Sequence, residues 1–225
     1  MGILKANFNG TPTVGLYGYA TDSFLLLGEH LQEKVLKEVT EVLGNVPVHT
    51  FRVAGTGMPG IFLAGNSTTI LVPSIAFDYE LEQLTKLGIN HTVFKTRHTC
   101  LGNTIVCNDH GAVISTDFDE TERKQIEKVL GVPAVRMDIA KLNTPGALIV
   151  LNGERGIIHR DATTEEVAEV ERILKVKLEP ATINLGTPYL RAGIINNSHG
   201  FVIGDQSGGP EIVHIDAALG YLEDE

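Results

Sequence analysis

The sequence predicts a closed ring of five α/β units, a five-bladed propeller, and three observations carry that expectation. An apolar residue followed by a turn residue returns about every 44 positions, at Leu43-Gly44, Leu87-Gly88, Leu130-Gly131, Leu174-Lys175 and Leu219-Gly220. A period of that length marks a repeat architecture, and five such units nearly fill the 225 residues, so no second domain is expected within residues 1–225. The same series of β-like and helical segments surrounds each marker. Finally, the fifth unit lacks its last β segment, whereas the chain begins with a spare one at residues 3–8. Pairing that stretch into the fifth unit closes the ring and removes the exposed sheet edges that invite aggregation.

Each unit reads β-β-α-β. The first opens with β-like stretches at 13–17 and 24–27. Its helix carries Leu31, Val35, Leu36, Val39, Val42 and Leu43 on one face, with Glu33, Lys34, Lys37 and Glu38 opposite. A β segment at 46–53 follows. The second unit repeats this at 60–64, 69–72 and 91–95 around a helix marked by Leu81, Leu84 and Leu87. The third has 104–107, 112–115 and 132–137 around Ile126, Val129 and Leu130. The fourth has 147–151, 156–159 and 176–183 around Val167, Val170 and Leu174. The fifth has 194–195 and 201–203 before Ile212, Ile215 and Leu219. Asp119 with Glu122, and Thr163 with Glu166, have the spacing of a capping box. Four of the five markers supply glycine for the left-handed turn that ends a helix, and Lys175 departs from that rule. One apolar stripe per helix means that no unit can bury its apolar surface alone, so neighbours must stack.

The turn between the two strands ahead of each helix carries Asp22, Asn66, Asn108-Asp109, Asn152-Gly153 and Asn196-Asn197. In a ring these positions share one rim. Asn and Asp are good turn residues in any protein, yet loops on a rigid scaffold are where binding concentrates.

The net charge is −10, and the 18 Lys and Arg residues are scattered, so no basic face for nucleic acid is evident. If the protein meets RNA, a basic partner protein is expected to carry much of the contact. No apolar run approaches membrane-spanning length, and the N-terminus has no signal-like apolar core. Two cysteines, Cys100 and Cys107, fit no zinc or redox spacing and read as small apolar fillers at strand positions in a reduced, cytoplasmic setting. The Asn-x-Ser/Thr matches at Asn66, Asn90 and Asn196 are then coincidental. The eight histidines show no ligand spacing, so no metal is expected. His110 and His199 fall in rim turns, where partner contact is one reading and solvent exposure the plainer one. Gly55-Thr-Gly57-Met-Pro-Gly60 matches a dinucleotide fingerprint on paper. A β-like run follows it where such a site needs a helix, so no cofactor is expected.

Ala64-Gly-Asn66 with Leu71-Val-Pro73, Leu101-Gly-Asn103 with Cys107-Asn-Asp109, and Gly156-Ile-Ile-His159 resemble the archaeal and eukaryotic translation initiation factor six family. The resemblance spans the whole chain in the five-unit register. It implies the pentein fold, a five-bladed α/β propeller. It also implies a non-catalytic factor that binds the large ribosomal subunit, mainly through a basic ribosomal protein near the sarcin–ricin loop, and blocks the small subunit from joining. Links to large-subunit maturation, a monomeric state and a cytoplasmic location follow from the same resemblance. The absence of a eukaryotic-type C-terminal extension points to the archaeal branch. For docking, the expected residues are Asn66, Arg97, Asn103, Asn108 and Asp109, around the first three units. Arg97 is read as an RNA or carboxylate contact, and the amides of Asn103 offer both donors and acceptors.

The alternative is a guanidino-group-modifying enzyme on the same fold. Such enzymes resemble one another in using a Cys nucleophile late in the chain, and here none follows Cys107. A thiol nucleophile also needs a nearby base and a lowered pKa.

Overall fold

The computed structural model describes residues 2–222 and consists of five three-stranded sheets, each with one long helix. The expected tail at 223–225 lies outside the described residues. Unit 1 holds strands Gly18–Ala20, Leu25–Leu27 and Val48–Thr50 with helix Glu33–Val42. Unit 2 holds Ala64–Gly65, Ile70–Pro73 and His91–Phe94 with helix Asp78–Lys86. Unit 3 holds Ile105–Cys107, Ala112–Ile114 and Ala134–Arg136 with helix Glu120–Leu130. Unit 4 holds Ile149–Asn152, Arg155–His159 and Lys177–Ala181 with helix Thr164–Leu174. In each, the first two strands form an antiparallel hairpin, and the third returns after the helix to lie parallel to the second.

Unit 5 contributes Ile194–Asn197, Gly200–Gly204 and helix Gly209–Ala218, and its third strand comes from the other end of the chain. Strand Gly2–Ala6 pairs in parallel with Gly200–Gly204, from Gly2 opposite Gly200 to Ala6 opposite Gly204. The ring therefore closes on the segment that the sequence leaves spare.

Helix ends follow the local chemistry. The Asp119 side chain accepts from Glu122 N (2.8 Å) while the Glu122 carboxylate accepts from Asp119 N (2.9 Å), and Thr163 with Glu166 repeats the exchange. Gly44, Gly88, Gly131 and Gly220 adopt positive φ after their helices. Lys175 does so too, at φ 53°, so the marker without glycine makes the same left-handed turn.

One element in every unit departs from the sequence reading. A single short helical turn precedes each first strand: Val14–Leu16, Pro59–Phe62, Leu101–Thr104, Pro145–Leu148 and Leu190–Gly193. The stretches 13–17, 60–64 and 147–151 were expected to be extended. They are mostly apolar because the turns sit at the centre of the ring, and a short apolar run has no period that separates strand from buried turn. Pro59–Phe62 also places a helical turn after the Gly-rich stretch, where a β-like run was expected. Four residues tucked against unit 1 leave no open helix end there. Cys107 lies at a strand end as expected, but Cys100 precedes a helical turn rather than sitting in a strand. The outer strands are shorter than the β segments read from sequence.

These central turns pack on one another in a closed circle. The contact is close enough to require glycine. A Cβ on Gly60 would lie 2.0 Å from Gly15 O, one on Gly102 2.3 Å from Gly60 O, and one on Gly146 2.4 Å from Gly102 O. Around this hub the apolar core divides into five clusters, each shared by two neighbouring units. Tyr19 and Leu26 of unit 1 meet Leu63 and Leu84 of unit 2, and Ala6, Leu25 and Val39 meet Ile195 and Val202 across the closure. No cluster belongs to one unit.

Two stability outcomes follow. Gly102→Ala should lower stability by about 1–3 kcal/mol or more, because the clashing atom is backbone and cannot swing away; a denaturant titration measures it. Removing residues 1–8, with the fully buried Phe8, should cost at least the ~3–5 kcal/mol of a large core truncation and expose the Gly200–Gly204 edge. Self-association on size-exclusion chromatography would report that edge, and a monomeric variant of wild-type stability would contradict the closure.

Candidate functional site

Strand directions sort the ring's surface into two ends. One end, the hairpin rim, carries the five strand-strand turns and the helix C-termini. The other carries the helix N-termini and the connections between units. A cavity of about 610 Å³ opens at the hairpin rim and runs down to the central turns, lined by Gly15, Tyr19, Cys107, Arg191 and rim residues such as Asn66 and Asn196.

The rim asparagines are held by the fold itself. Asn66 Nδ2 donates to Leu130 O at 2.9 Å, Asn108 Nδ2 to Leu174 O at 2.7 Å, Asn152 Nδ2 to Leu219 O at 2.8 Å and Asn197 Nδ2 to Leu43 O at 3.0 Å. Each amide thus caps the last turn of a helix in the next unit, satisfying a carbonyl that the helix leaves open. The Asn66 and Asn108 Oδ1 atoms accept backbone N–H groups of their own turns. Asp109 is exposed, and its Oδ1 accepts from Ser67 N at 3.0 Å, joining unit 3 to unit 2. His110 and His199 are both exposed in these turns.

Arg97 and Asn103 lie at the opposite end. Arg97 is exposed after strand His91–Phe94, and its Nε faces His98 Nε2 at 3.2 Å. Asn103 is half-buried in the Leu101–Thr104 turn, and among the described residues no hydrogen bond engages its side chain. The five candidate residues therefore do not converge. Three belong to the hairpin rim, where the amides of Asn66 and Asn108 and one oxygen of Asp109 bond within the protein, and two stand at the other end, where among the described residues the only side-chain group engaged is Arg97 Nε, by His98.

The connections at that end follow a second repeating device, which the sequence reading missed. Two-residue reversals with positive φ are bridged by Phe8 with Thr11, Val53 with Thr56 and Ile139 with Leu142, and a three-residue one by Ile183 with Thr187. Glutamates in the first helical turn grip three of them. Glu80 accepts from Ala54 N (2.8 Å) and Gly55 N (2.9 Å), Glu166 from Ala140 N, and Glu211 from Leu185 N and Gly186 N. The loop after strand His91–Phe94 is not built this way. There Thr96 Oγ1 donates to Glu122 at 2.6 Å, and Arg97 projects beyond it.

The thiol of Cys107 is not activated. Burial pushes its pKa up to about 12, over the opposing pull of Arg191. His159, from the Gly156-Ile-Ile-His159 stretch, is buried. Burial pushes its pKa below the usual histidine value, and its Nδ1 accepts from Asp161 N. No helix among the described residues is long and apolar enough to cross a membrane, and no cluster of metal-ligating side chains occurs among them.

The arrangement is a pentein-like α/β propeller. In fold it is similar to a dimethylarginine dimethylaminohydrolase solved as an adduct with S-methyl-L-thiocitrulline, with a TM-score of 0.53 over 92% of this chain and 73% of that one at 11% identity. That likeness concerns the fold alone. The eIF-6 family model matches residues 3–218, and the chain belongs to that family. It is 38% identical to translation initiation factor 6 of Thermococcus onnurineus over 99% of this chain and all of the relative, and 37% identical to that of Pyrococcus abyssi at the same coverage. The corresponding factor of Staphylothermus marinus is 34% identical over 97% of this chain and 98% of its own length.

Asn108→Ala should remove a bond between units and lower stability by about 1–2 kcal/mol, whereas Arg97→Ala at the surface should stay within about 0.5 kcal/mol; paired thermal or urea unfolding separates them. Glu211 gives a pH signature. Burial raises its pKa, but Thr182, Gly186, Gly208 and Leu185 donate to its carboxylate and together hold it below the ordinary 4.5. A depressed folded pKa contributes stability above that value, which is lost as the pH falls through it. Glu211→Gln should therefore flatten the stability curve below pH 4.5, seen in denaturant midpoints across pH 3–6.

Proposed function

We propose that this translation factor acts without catalysis, by binding the large ribosomal subunit and occupying the volume that the small subunit needs. The observation that carries the reading is the match to the eIF-6 family across nearly the whole chain, with full-length relatives named translation initiation factor 6. The physical character of the molecule agrees. Five units joined through shared cores and rim amides make a stiff body, and a blocker needs volume rather than a moving part. The net charge of −10 suits docking on a basic ribosomal protein, with the sarcin–ricin region of the rRNA within reach. Cytoplasmic location, a monomeric state and a part in large-subunit maturation belong to the same reading, as does the 1–225 chain working as one domain.

For the contact we favour the end that carries Arg97 and Asn103. The terminal guanidinium nitrogens of Arg97 and the amide of Asn103 make no hydrogen bond among the described residues, whereas Asn66, Asn108 and one oxygen of Asp109 bond within the fold. The rival reading, chemistry on a guanidino group, needs an ionised thiol, and the raised pKa of Cys107 opposes it.

Co-sedimentation with separated subunits tests the reading: the protein should travel with large subunits and not with small ones. Arg97→Glu and Asn103→Ala should each weaken that association at least tenfold with unchanged melting temperature. Equal pelleting with both subunits, or turnover of a small guanidine, would sink it. Unaltered affinity in both variants would move the contact away from this end.

A further inference from the structure

Aligning the five units on their central turns, whose second residues are Gly15, Gly60, Gly102, Gly146 and Arg191, exposes one break in their symmetry. Gly15, Gly60, Gly102 and Gly146 stand three residues ahead of Gly18, Leu63, Ile105 and Ile149. Three residues ahead of Ile194, the corresponding residue of unit 5, stands Arg191. The hub position that is glycine four times is arginine once. Its side chain lines the 610 Å³ cavity together with Tyr19 and Cys107.

A guanidinium is charged at any physiological pH, and one that is partly buried and lines a cavity is normally paired. This one is not. Among the described residues its only hydrogen bond is a long one, from Nε to Gly60 O at 3.4 Å, and no ion pair reaches its terminal nitrogens. Its Cζ lies 5.9 Å from the centroid of the Tyr19 ring, a cation–π contact that offsets part of the desolvation. Burial lowers its pKa, and the groups that pull the other way are Tyr19 and Cys107. Burial raises the pKa of both, so both stay neutral at neutral pH. The Asp22 carboxylate lines the rim of the same cavity, where it accepts from Ser198 N at 2.8 Å, and no ion pair joins it to Arg191. The cavity thus holds a guanidinium with no ion-pair partner among the described residues, beside a buried phenol, in a volume typical of small-ligand sites.

We propose that this well binds a small oxyanion of phosphate size, with the Arg191 guanidinium as its charge partner and the Tyr19 hydroxyl as a hydrogen-bond donor. The planar fork of arginine matches two oxygens of such an anion. The site needs no other chain, and it stands apart from the ribosome reading.

The test is an NMR titration of the full chain with inorganic phosphate against sodium chloride at matched ionic strength, following the Arg191 Nε–Hε resonance and the amides of the well. A saturable shift with phosphate, absent with chloride, is the expected result. Arg191→Gly restores the residue that the four sister positions carry, so it suits the fold, and it should abolish saturation. Arg191→Lys should weaken binding about tenfold, and Tyr19→Phe about threefold. No saturable response in the wild type, or wild-type affinity in Arg191→Gly, overturns the proposal. Should Arg191→Gly not fold, the wild-type titration and Arg191→Lys decide it: a lysine variant that binds phosphate as tightly as the wild type would likewise count against it.

Discussion

Every unit of this molecule lacks a core of its own, and that constraint shapes the rest. Each apolar cluster is assembled by two neighbours, so a unit at the end of an open array would leave half a cluster in water. Closing the array removes both ends at once. The parallel pairing of Gly2–Ala6 with Gly200–Gly204 is the step that does so, and it joins residues from opposite ends of the chain. The loop-closure entropy is large, yet it grows only logarithmically with length, whereas the gain is a whole junction: a shared core, a capped helix and a paired sheet edge.

The rim asparagines show how the same constraint produces a pattern that also reads as function. A circle of five polar turns invites a binding reading. Four of these turns supply an amide to a helix of the next unit, so the pattern recurs because the junction recurs. At the remaining junction Thr21 occupies the equivalent place, and its hydroxyl turns back on its own loop, to Phe24 O at 3.3 Å. A hydroxyl is too short to span the distance an amide covers, so units 1 and 2 are joined instead by their shared core, the close approach of Gly28 to Gly57, the Glu80 clamp and Gln83 Nε2 donating to Thr50 O at 2.7 Å.

Much of the fold was legible because repetition multiplies weak signals. A single Leu-Gly pair means little; five at one spacing fix the units, their helices and the missing strand. The central turns were not legible, because burial on all sides erases the alternation that distinguishes a strand from a turn. The glutamate clamps were hidden for another reason. Glu80, Glu166 and Glu211 look like ordinary first-turn acids, and their donors, the backbone N–H groups of the reversals near Ala54, Ala140 and Leu185, are 25 or 26 residues away. Of the candidate contacts, Arg97 and Asn103 could be named from sequence, but their separation from Asn66, Asn108 and Asp109 by the height of the ring required strand directions. Arg191 could have been found by aligning the units, since glycine recurs at its sister positions.

In a pseudo-symmetric ring, features shared by all units answer to the requirements of assembly, so specificity concentrates where the units differ. Three such places occur here. Unit 3 replaces the clamped reversal with a loop that projects Arg97, next to the turn that carries Asn103. Unit 5 replaces a hub glycine with Arg191. Unit 1 lacks the rim amide. The first places an exposed cation near a half-buried amide that makes no side-chain hydrogen bond among the described residues, the second places a cation in the central well, and the third leaves a junction without its rim amide beside the mouth of that well. None of these is demanded by the ring: Arg123 and Glu120 pair with one another on helix Glu120–Leu130 at 2.6 Å, as surface charges generally can, whereas Arg97 and Arg191 have no carboxylate partner among the described residues. The two cations sit at different depths, Arg97 exposed on the surface and Arg191 lining the well, so a macromolecule could reach the first whereas only a small ligand would fit beside the second.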